Sequence, residues 1–192
     1  MPQGITIFCG SASGVDPQYI RQAELLGQAI AHAGLPLIYG GGRMGLMGAV
    51  GRSCRAAGGH TVCVIPQFMV DRGWNDPDAS ETIITDTMHT RKATMARLSQ
   101  AVIALPGGIG TFEELTEIIC HRQLGIYHGN IVLLNINGFY DPFIATLRSA
   151  ITAGFMPSDH ARLWTTATTA AEALSAAITI TPDPTTHLSP KF

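Results

Sequence analysis

The stretch Ala101-Val102-Ile103-Ala104-Leu105-Pro106-Gly107-Gly108-Ile109-Gly110-Thr111-Phe112-Glu113-Glu114 reads as a buried strand, a glycine-rich turn and the opening of a helix. Ala101 to Leu105 is an unbroken apolar run, and Phe112, Leu115, Ile118, Ile119 and Leu124 follow at helical spacing. Glycines without side chains let backbone N–H groups and the helix N-terminus face an anion at close range. On this reading Glu114 lies in the first helical turn. A carboxylate beside a bound phosphate costs Coulomb energy unless it acts on the same ligand, which hints at chemistry there. Thr111-x-x-Glu114 is also a capping box, with Glu114 reaching back to the backbone of Thr111. Both readings stand at this point.

Working outward, strand-like runs occur at 4 to 9, 35 to 39, 60 to 65, 101 to 105, 130 to 136 and, more weakly, near 163 to 167, with helical patterns between them. That alternation predicts an α/β fold with a doubly wound parallel sheet. The first helix is punctuated by Asp16 as cap, Pro17 at its first position and Gly34 beyond its end. Asp141-Pro142 opens a later helix in the same way, and Asp86 is the expected cap of the helix that begins near Met88. Cys9 to Gly14, Gly40 to Gly45 and Pro106 to Thr111 are small-residue turns at strand ends. In an open sheet those ends line the ligand crevice, so the three turns imply one shared site. The stretch from 67 to 80, with Trp74 and Asp76-Pro77-Asp78, reads as a long irregular loop, either a cover for the crevice or a passive surface segment.

The 192 residues, 46% of them hydrophobic, suit one well-cored domain over residues 1 to 180, with a flexible tail from 181 to 192. A formal net charge of -2 gives no footprint for a nucleic acid polymer. The four cysteines, Cys9, Cys54, Cys63 and Cys120, form no C-x-x-C pair, which suits thiols in a reducing compartment. With no secretory signal and no long apolar segment, the expectation is a cytoplasmic protein that meets no membrane.

Gly40 to Gly45 satisfies G-x-G-x-x-G between a strand and a helical pattern, but no Asp or Glu stands between Gly45 and Val70 to hold an adenosine ribose. That weakens a nicotinamide dinucleotide reading, and no G-x-x-x-x-G-K-[ST] run supports a nucleoside triphosphate. A Schiff base needs a lysine, and the chain has only Lys92 and Lys191. The seven histidines lack H-E-x-x-H spacing, and no metal site is expected. In Met88-His89-Thr90-Arg91-Lys92, two cations near a helix N-terminus oppose the macrodipole, so an anionic partner accounts for them better than solvent does.

These residues resemble the LOG ("Lonely guy") family of cytokinin riboside 5′-monophosphate phosphoribohydrolases, many of which were once labelled lysine decarboxylases. The family's P-G-G-x-G-T-x-x-E motif matches Pro106 through Glu114 in full, and its arginine-lysine motif matches Met88 to Lys92. Cys9-Gly10-Ser11, Tyr39 to Gly42 with Gly45 to Gly48, Val64-Ile65-Pro66, Gln123-Leu124-Gly125 and Leu133-Leu134-Asn135 with Gly138 match as well. The resemblance implies a Rossmann-like fold, no metal or cofactor, a homodimer, and hydrolysis of a nucleoside 5′-monophosphate to free base and ribose 5-phosphate. It places catalysis on Arg91 and Glu114, and substrate binding on Gly42, Gly45, Arg91, Lys92, Gly107, Gly108, Ile109, Gly110, Thr111 and Glu114. Ile109, Gln100, His121 and Gly129-Asn130 depart from the common pattern, which leaves the base open between N6-isopentenyladenine, zeatin and adenine. The rival expectation is a non-catalytic carrier of a nucleotide or phosphorylated cofactor on the same scaffold.

Overall fold

The structure, a computed structural model, describes residues 3 to 179; the expected tail lies outside the described residues. Its frame is a seven-stranded sheet in the order β4-β3-β2-β1-β5-β6-β7, parallel throughout. The strands are β1 (Gly4–Phe8), β2 (Leu37–Tyr39), β3 (Thr61–Pro66), β4 (Glu81–Thr85), β5 (Ser99–Ala104), β6 (Asn130–Leu134) and β7 (Thr165–Ala167). The helices are α1 (Pro17–His32), α2 (Gly45–Ala56), α3 (Gln67–Asp71), α4 (Met88–Leu98), α5 (Ile109–Gln123), α6 (Asp141–Thr152) and α7 (Ala170–Ile178).

The central strands are apolar on both faces, as a sheet covered on both sides requires. Ile5, Ile7, Ala101, Ile103, Val132 and Leu134 pack with α1, α2 and α7 on one face. Phe8, Val102, Ala104, Ile131 and Leu133 pack with α4, α5 and α6 on the other. From β1 the chain winds outward through β2 and β3 to β4, then returns along α4 to pair β5 against the opposite side of β1. The order therefore reverses between β1 and β5, and the crevice of such a sheet lies beyond their carboxyl ends. The doubly wound, Rossmann-like expectation holds.

Two local expectations need correction. β4 falls where no strand was expected, because it is the sheet's edge: Thr82 and Ile84 are exposed while Thr85 is buried, so its sequence shows little apolar character. The cap of α4 is Thr87, not Asp86. Thr87 Oγ1 accepts from the Thr90 N–H (3.1 Å), and the Thr87 N–H donates to Thr90 Oγ1 (3.0 Å), a reciprocal box that Asp86 has no partner to make. The punctuation of α1 is as expected: Asp16 Oδ1 accepts from the Gln18 N–H (2.8 Å), Pro17 opens the helix, and Gly34 follows it at φ +68°.

Candidate active site

Beyond β1 and β5 the glycine turns are fastened to one another. The Leu105 N–H donates to the Phe8 carbonyl (2.9 Å) and the Gly10 N–H to the Pro106 carbonyl (3.0 Å). Glycine is required at Gly107, where a Cβ would fall 2.1 Å from Thr111 Oγ1 and 2.7 Å from the Gly10 nitrogen. The second turn closes on the first. The Met47 N–H donates to the Gly10 carbonyl (3.2 Å), and Gly45, at φ +56°, sits where a Cβ would be 2.5 Å from the Ala12 carbonyl oxygen. The three turns thus meet at one edge of the sheet, as the strand-end argument requires.

The helix α5 begins at Ile109, with Gly108 as its cap and no side chain satisfying its first N–H groups. Gly108, Ile109 and Gly110 are exposed there. Unsatisfied N–H groups and the positive end of the helix dipole point to an anion. This start corrects the sequence reading in two ways. Thr111 is inside the helix, so it caps nothing, and Glu114 stands in the second turn rather than the first. The capping box does not form; the Glu114 side chain meets Arg91 instead.

Arg91 reaches the site from α4, across the carboxyl end of β3. Its Nε donates to the Val64 carbonyl (3.0 Å), and its Nη1 lies 3.2 Å from Glu114 Oε1, both side chains being buried. A Cβ on Gly40 would fall 2.0 Å from Arg91 Nη2, so the second turn needs glycine at Gly40 to admit the guanidinium. Burial pushes the Glu114 carboxyl above its ordinary range, against the downward pull of Arg91. Such a carboxylate accepts a proton more readily than an exposed one. Burial also pushes up the thiol of Cys9, which lies beside the same pair, and so suppresses a thiolate there.

The next residue, Lys92, pairs with both Glu113 and Glu117 on α5. Burial alone would lower its pKa, but these two hydrogen-bonded carboxylates raise it. A lysine held protonated is a poor Schiff-base nucleophile, which agrees with the sequence argument against pyridoxal chemistry. Around α4 and α5 two cations face three carboxylates, Glu113, Glu114 and Glu117. Side-chain charge here is therefore offset within the protein, and what the turn offers an anion is the backbone N–H groups at the start of α5.

The stretch from 67 to 80, expected as one long irregular loop, opens with the short helix α3. An isolated antiparallel bridge joins Gly42 to Asn75, and Arg43 Nη2 donates to the Gly73 carbonyl (2.8 Å), which lays the segment along the second glycine turn. It is anchored by Asp76, 3% exposed, whose Oδ2 accepts from the Tyr39 hydroxyl (2.6 Å) and pairs with Arg55 Nη1 (3.0 Å). Sequence reading took Asp76 only as part of a turn. Its partners lie on β2 and α2, and no local pattern marks it.

Two hollows elsewhere, of about 420 Å³ beside Pro36 and His60 and about 620 Å³ beside α6, contain neither Arg91, Glu114 nor any glycine of the three turns. The chemistry, not the concavity, marks the site.

The family described as "Possible lysine decarboxylase" matches residues 47–177. The cytokinin riboside 5′-monophosphate phosphoribohydrolase LOG of Oryza sativa subsp. japonica is 43% identical over 168 residues, which cover 88% of this chain and 69% of that protein. The phosphoribohydrolase LOG2 of Arabidopsis thaliana is 40% identical over 170 residues, covering 88% of this chain and 80% of its own length. Among solved structures, the Moco carrier protein from Chlamydomonas reinhardtii superposes with a TM-score of 0.69 at 23% identity over 92% of this chain and 95% of that one. The molybdenum cofactor binding protein from Rippkaea orientalis gives 0.69 at 21% identity, over 91% and 95%. These structures share the fold. The family match across most of the chain, the relatives at 43% and 40% identity and both intact motifs agree: the chain belongs to the LOG family.

Proposed function

We propose that this protein hydrolyses the N-glycosidic bond of cytokinin riboside 5′-monophosphates, and of AMP, to free base and ribose 5-phosphate, without metal or cofactor. The observation that carries this is the buried Arg91–Glu114 pair, 3.2 Å apart, beside a glycine cradle built for an anion. The 5′-phosphate sits against Gly107, Gly108, Ile109, Gly110 and Thr111 at the start of α5, with Gly42 and Gly45 closing the second side. Holding this remote group fixes the ribose relative to the carboxylate before any bond breaks.

As the C–N bond breaks, the purine leaves with its electron pair and positive charge grows on the ribose. Glu114 stabilises that charge and takes the proton of the attacking water, by analogy with the carboxylates of glycoside hydrolysis, while the departing purine nitrogen takes a proton from solvent and Glu114 returns its own to solvent. Its raised pKa brings it nearer to working pH, where a general base is most effective. Arg91 carries a planar fork of N–H donors and no acceptor, so it acts as a fixed hydrogen-bond donor to the departing base or to the nucleotide. Lys92 contributes to substrate binding at one remove, by offsetting the charge of Glu113 and Glu117 near the phosphate.

We place the protein in the cytoplasm as a homodimer. Free thiols at Cys9, Cys54, Cys63 and Cys120 suit a reducing compartment, and no helix of the described residues is long and apolar enough to cross a membrane. Ile109, 86% exposed, and Met44, 59% exposed, each stand in one of the glycine turns and offer apolar surface that a second subunit would cover.

The test is incubation of the protein with AMP and with N6-prenylated AMP, followed by chromatography. Release of free base together with ribose 5-phosphate is the expected result. Tight binding of nucleotide with no release of either product would establish a carrier instead.

A further inference from the structure

The glycine cradle has a support that neither motif contains. Past the last β5–β6 pair, Ala104 with Leu133, the Leu105 carbonyl has left the sheet ladder. It accepts the hydroxyl of Tyr140 at 2.6 Å, and the next carbonyl, that of Pro106, accepts the Gly10 N–H at 3.0 Å. Both carbonyls that lead into Gly107 are therefore tied down on the protein side. The orientation of successive peptide planes is coupled, so fixing these two sets the direction in which the following N–H groups point.

Tyr140 is itself held from several directions. It has no exposed surface, its N–H donates to Asn135 Oδ1 (2.7 Å), and Asn135 Nδ2 donates to Asp141 Oδ1 (2.7 Å). Its ring meets Phe112 of α5, Phe139 and Phe143 edge-on or nearly so, at centroid distances of 6.2, 5.1 and 6.2 Å. Phe112 follows Thr111 directly, so the same aromatic group grips the first turn of α5. Burial pushes the Tyr140 hydroxyl far up, with Cys9 and Glu114 adding to the effect, and it stays a neutral donor across the working range.

We infer that Tyr140 is a positioning residue for phosphate binding: its hydroxyl, by holding the Leu105 carbonyl, presets the N–H groups of the Gly107–Thr111 turn toward the ligand. This rests on the reading of that turn as the 5′-phosphate site. It makes Tyr140 act on affinity rather than on bond cleavage, because Glu114 and Arg91 are fixed separately through Val64 and each other.

Tyr140→Phe deletes only the hydroxyl. The expected result is a rise of about three- to tenfold in KM for AMP and in the calorimetric Kd for ribose 5-phosphate, the effect of one neutral hydrogen bond, with kcat within about twofold. Tyr127→Phe is the control. It removes a buried hydroxyl that meets Ser99 Oγ (3.3 Å) at the amino end of β5, the end away from the cradle, and lowers Tm while leaving KM and Kd unchanged. Tyr140→Phe with wild-type Kd for ribose 5-phosphate overturns the inference, as does an equal rise in KM from both variants. A wild-type protein that hydrolyses AMP while Tyr140→Phe changes nothing overturns the inference alone. One that neither hydrolyses AMP nor binds ribose 5-phosphate overturns the underlying reading, and the inference with it.

Discussion

Arg91 and Lys92 are neighbours on α4, and Glu113 and Glu114 are neighbours on α5, yet the ion pairs they form have different surroundings. Arg91 and Glu114 are buried to nearly the same degree, 7% and 8% of each side chain being exposed, and they meet beside Gly40 and the Val64 carbonyl. Lys92 is equally buried, but its partners are not: Glu113 is 52% and Glu117 30% exposed, so this pairing opens onto solvent along the seam between the two helices. Successive helix residues point about 100° apart, and one step along each helix separates the two arrangements. The first keeps a carboxylate where water is scarce and its basicity is raised. The second clasps α4 to α5 and so holds the first in register. On the proposed function, chemistry and scaffolding are divided between adjacent residues, and that division can be attacked one residue at a time.

Glu114→Gln attacks it most directly. The amide keeps the shape and can still accept a hydrogen bond from Arg91, but it lacks negative charge and cannot take a proton. We expect kcat to fall on the order of a thousandfold while Tm changes little, checked by product chromatography and thermal melts. Wild type should lose activity on the acid side at a pH above the ordinary carboxylate value of 4.5, because the folded pKa is raised, and the Gln variant should lack that limb. The sign for stability is the reverse of a paired surface carboxylate. The folded state holds this proton more tightly than the unfolded chain, so the group's contribution is greatest below 4.5 and is lost as pH rises through the folded pKa. Urea melts across that window should show the stability of wild type relative to Glu114→Gln falling with pH and then levelling.

Arg91→Lys comes next. It keeps one positive charge but loses the fork that spans the Val64 carbonyl and Glu114. A loss on the order of a hundredfold in kcat/KM is expected from steady-state rates, since a single ammonium cannot serve both partners and the substrate. Gly107→Ala follows, with the cradle rather than the pair as its target. The added methyl would press on Thr111 Oγ1 and the Gly10 nitrogen, and displacing the turn should cost roughly tenfold, read as a rise in KM for AMP.

The contrast also explains what the sequence made legible. The strand, turn and helix from Ala101 onward were readable because each is fixed by neighbours: an apolar run, glycines that only a tight approach requires, and an amphipathic period. So were α1 and the meeting of three turns at one edge. The register at the start of α5 was not. Thr111-x-x-Glu114 has the letters of a capping box, but the helix begins two residues earlier, at Ile109, which carries Glu114 into the second turn and toward Arg91. That choice depends on α4, which no local pattern reports. Asp76 and Tyr140 were missed for the same reason. Their deciding partners, Tyr39 and Leu105, are 37 and 35 residues away in sequence. β4 escaped because an edge strand shows half its residues to water.

Lys92→Met gives the smallest effect and the sharpest test of the division itself. Methionine fills the buried stem and removes the charge, so packing against α5 is largely kept. Glu113 and Glu117 are then left unpaired, but both reach solvent and can be hydrated, which limits the penalty. A clasp with an indirect electrostatic share in binding predicts a rise of about two- to threefold in KM for AMP, unchanged kcat, and a KM effect that shrinks as salt is added. A direct phosphate ligand predicts a much larger rise in KM that survives high salt. Measuring KM for AMP at two ionic strengths separates these outcomes. A fall in kcat comparable to that of Arg91→Lys would show instead that the two neighbouring cations share the chemistry.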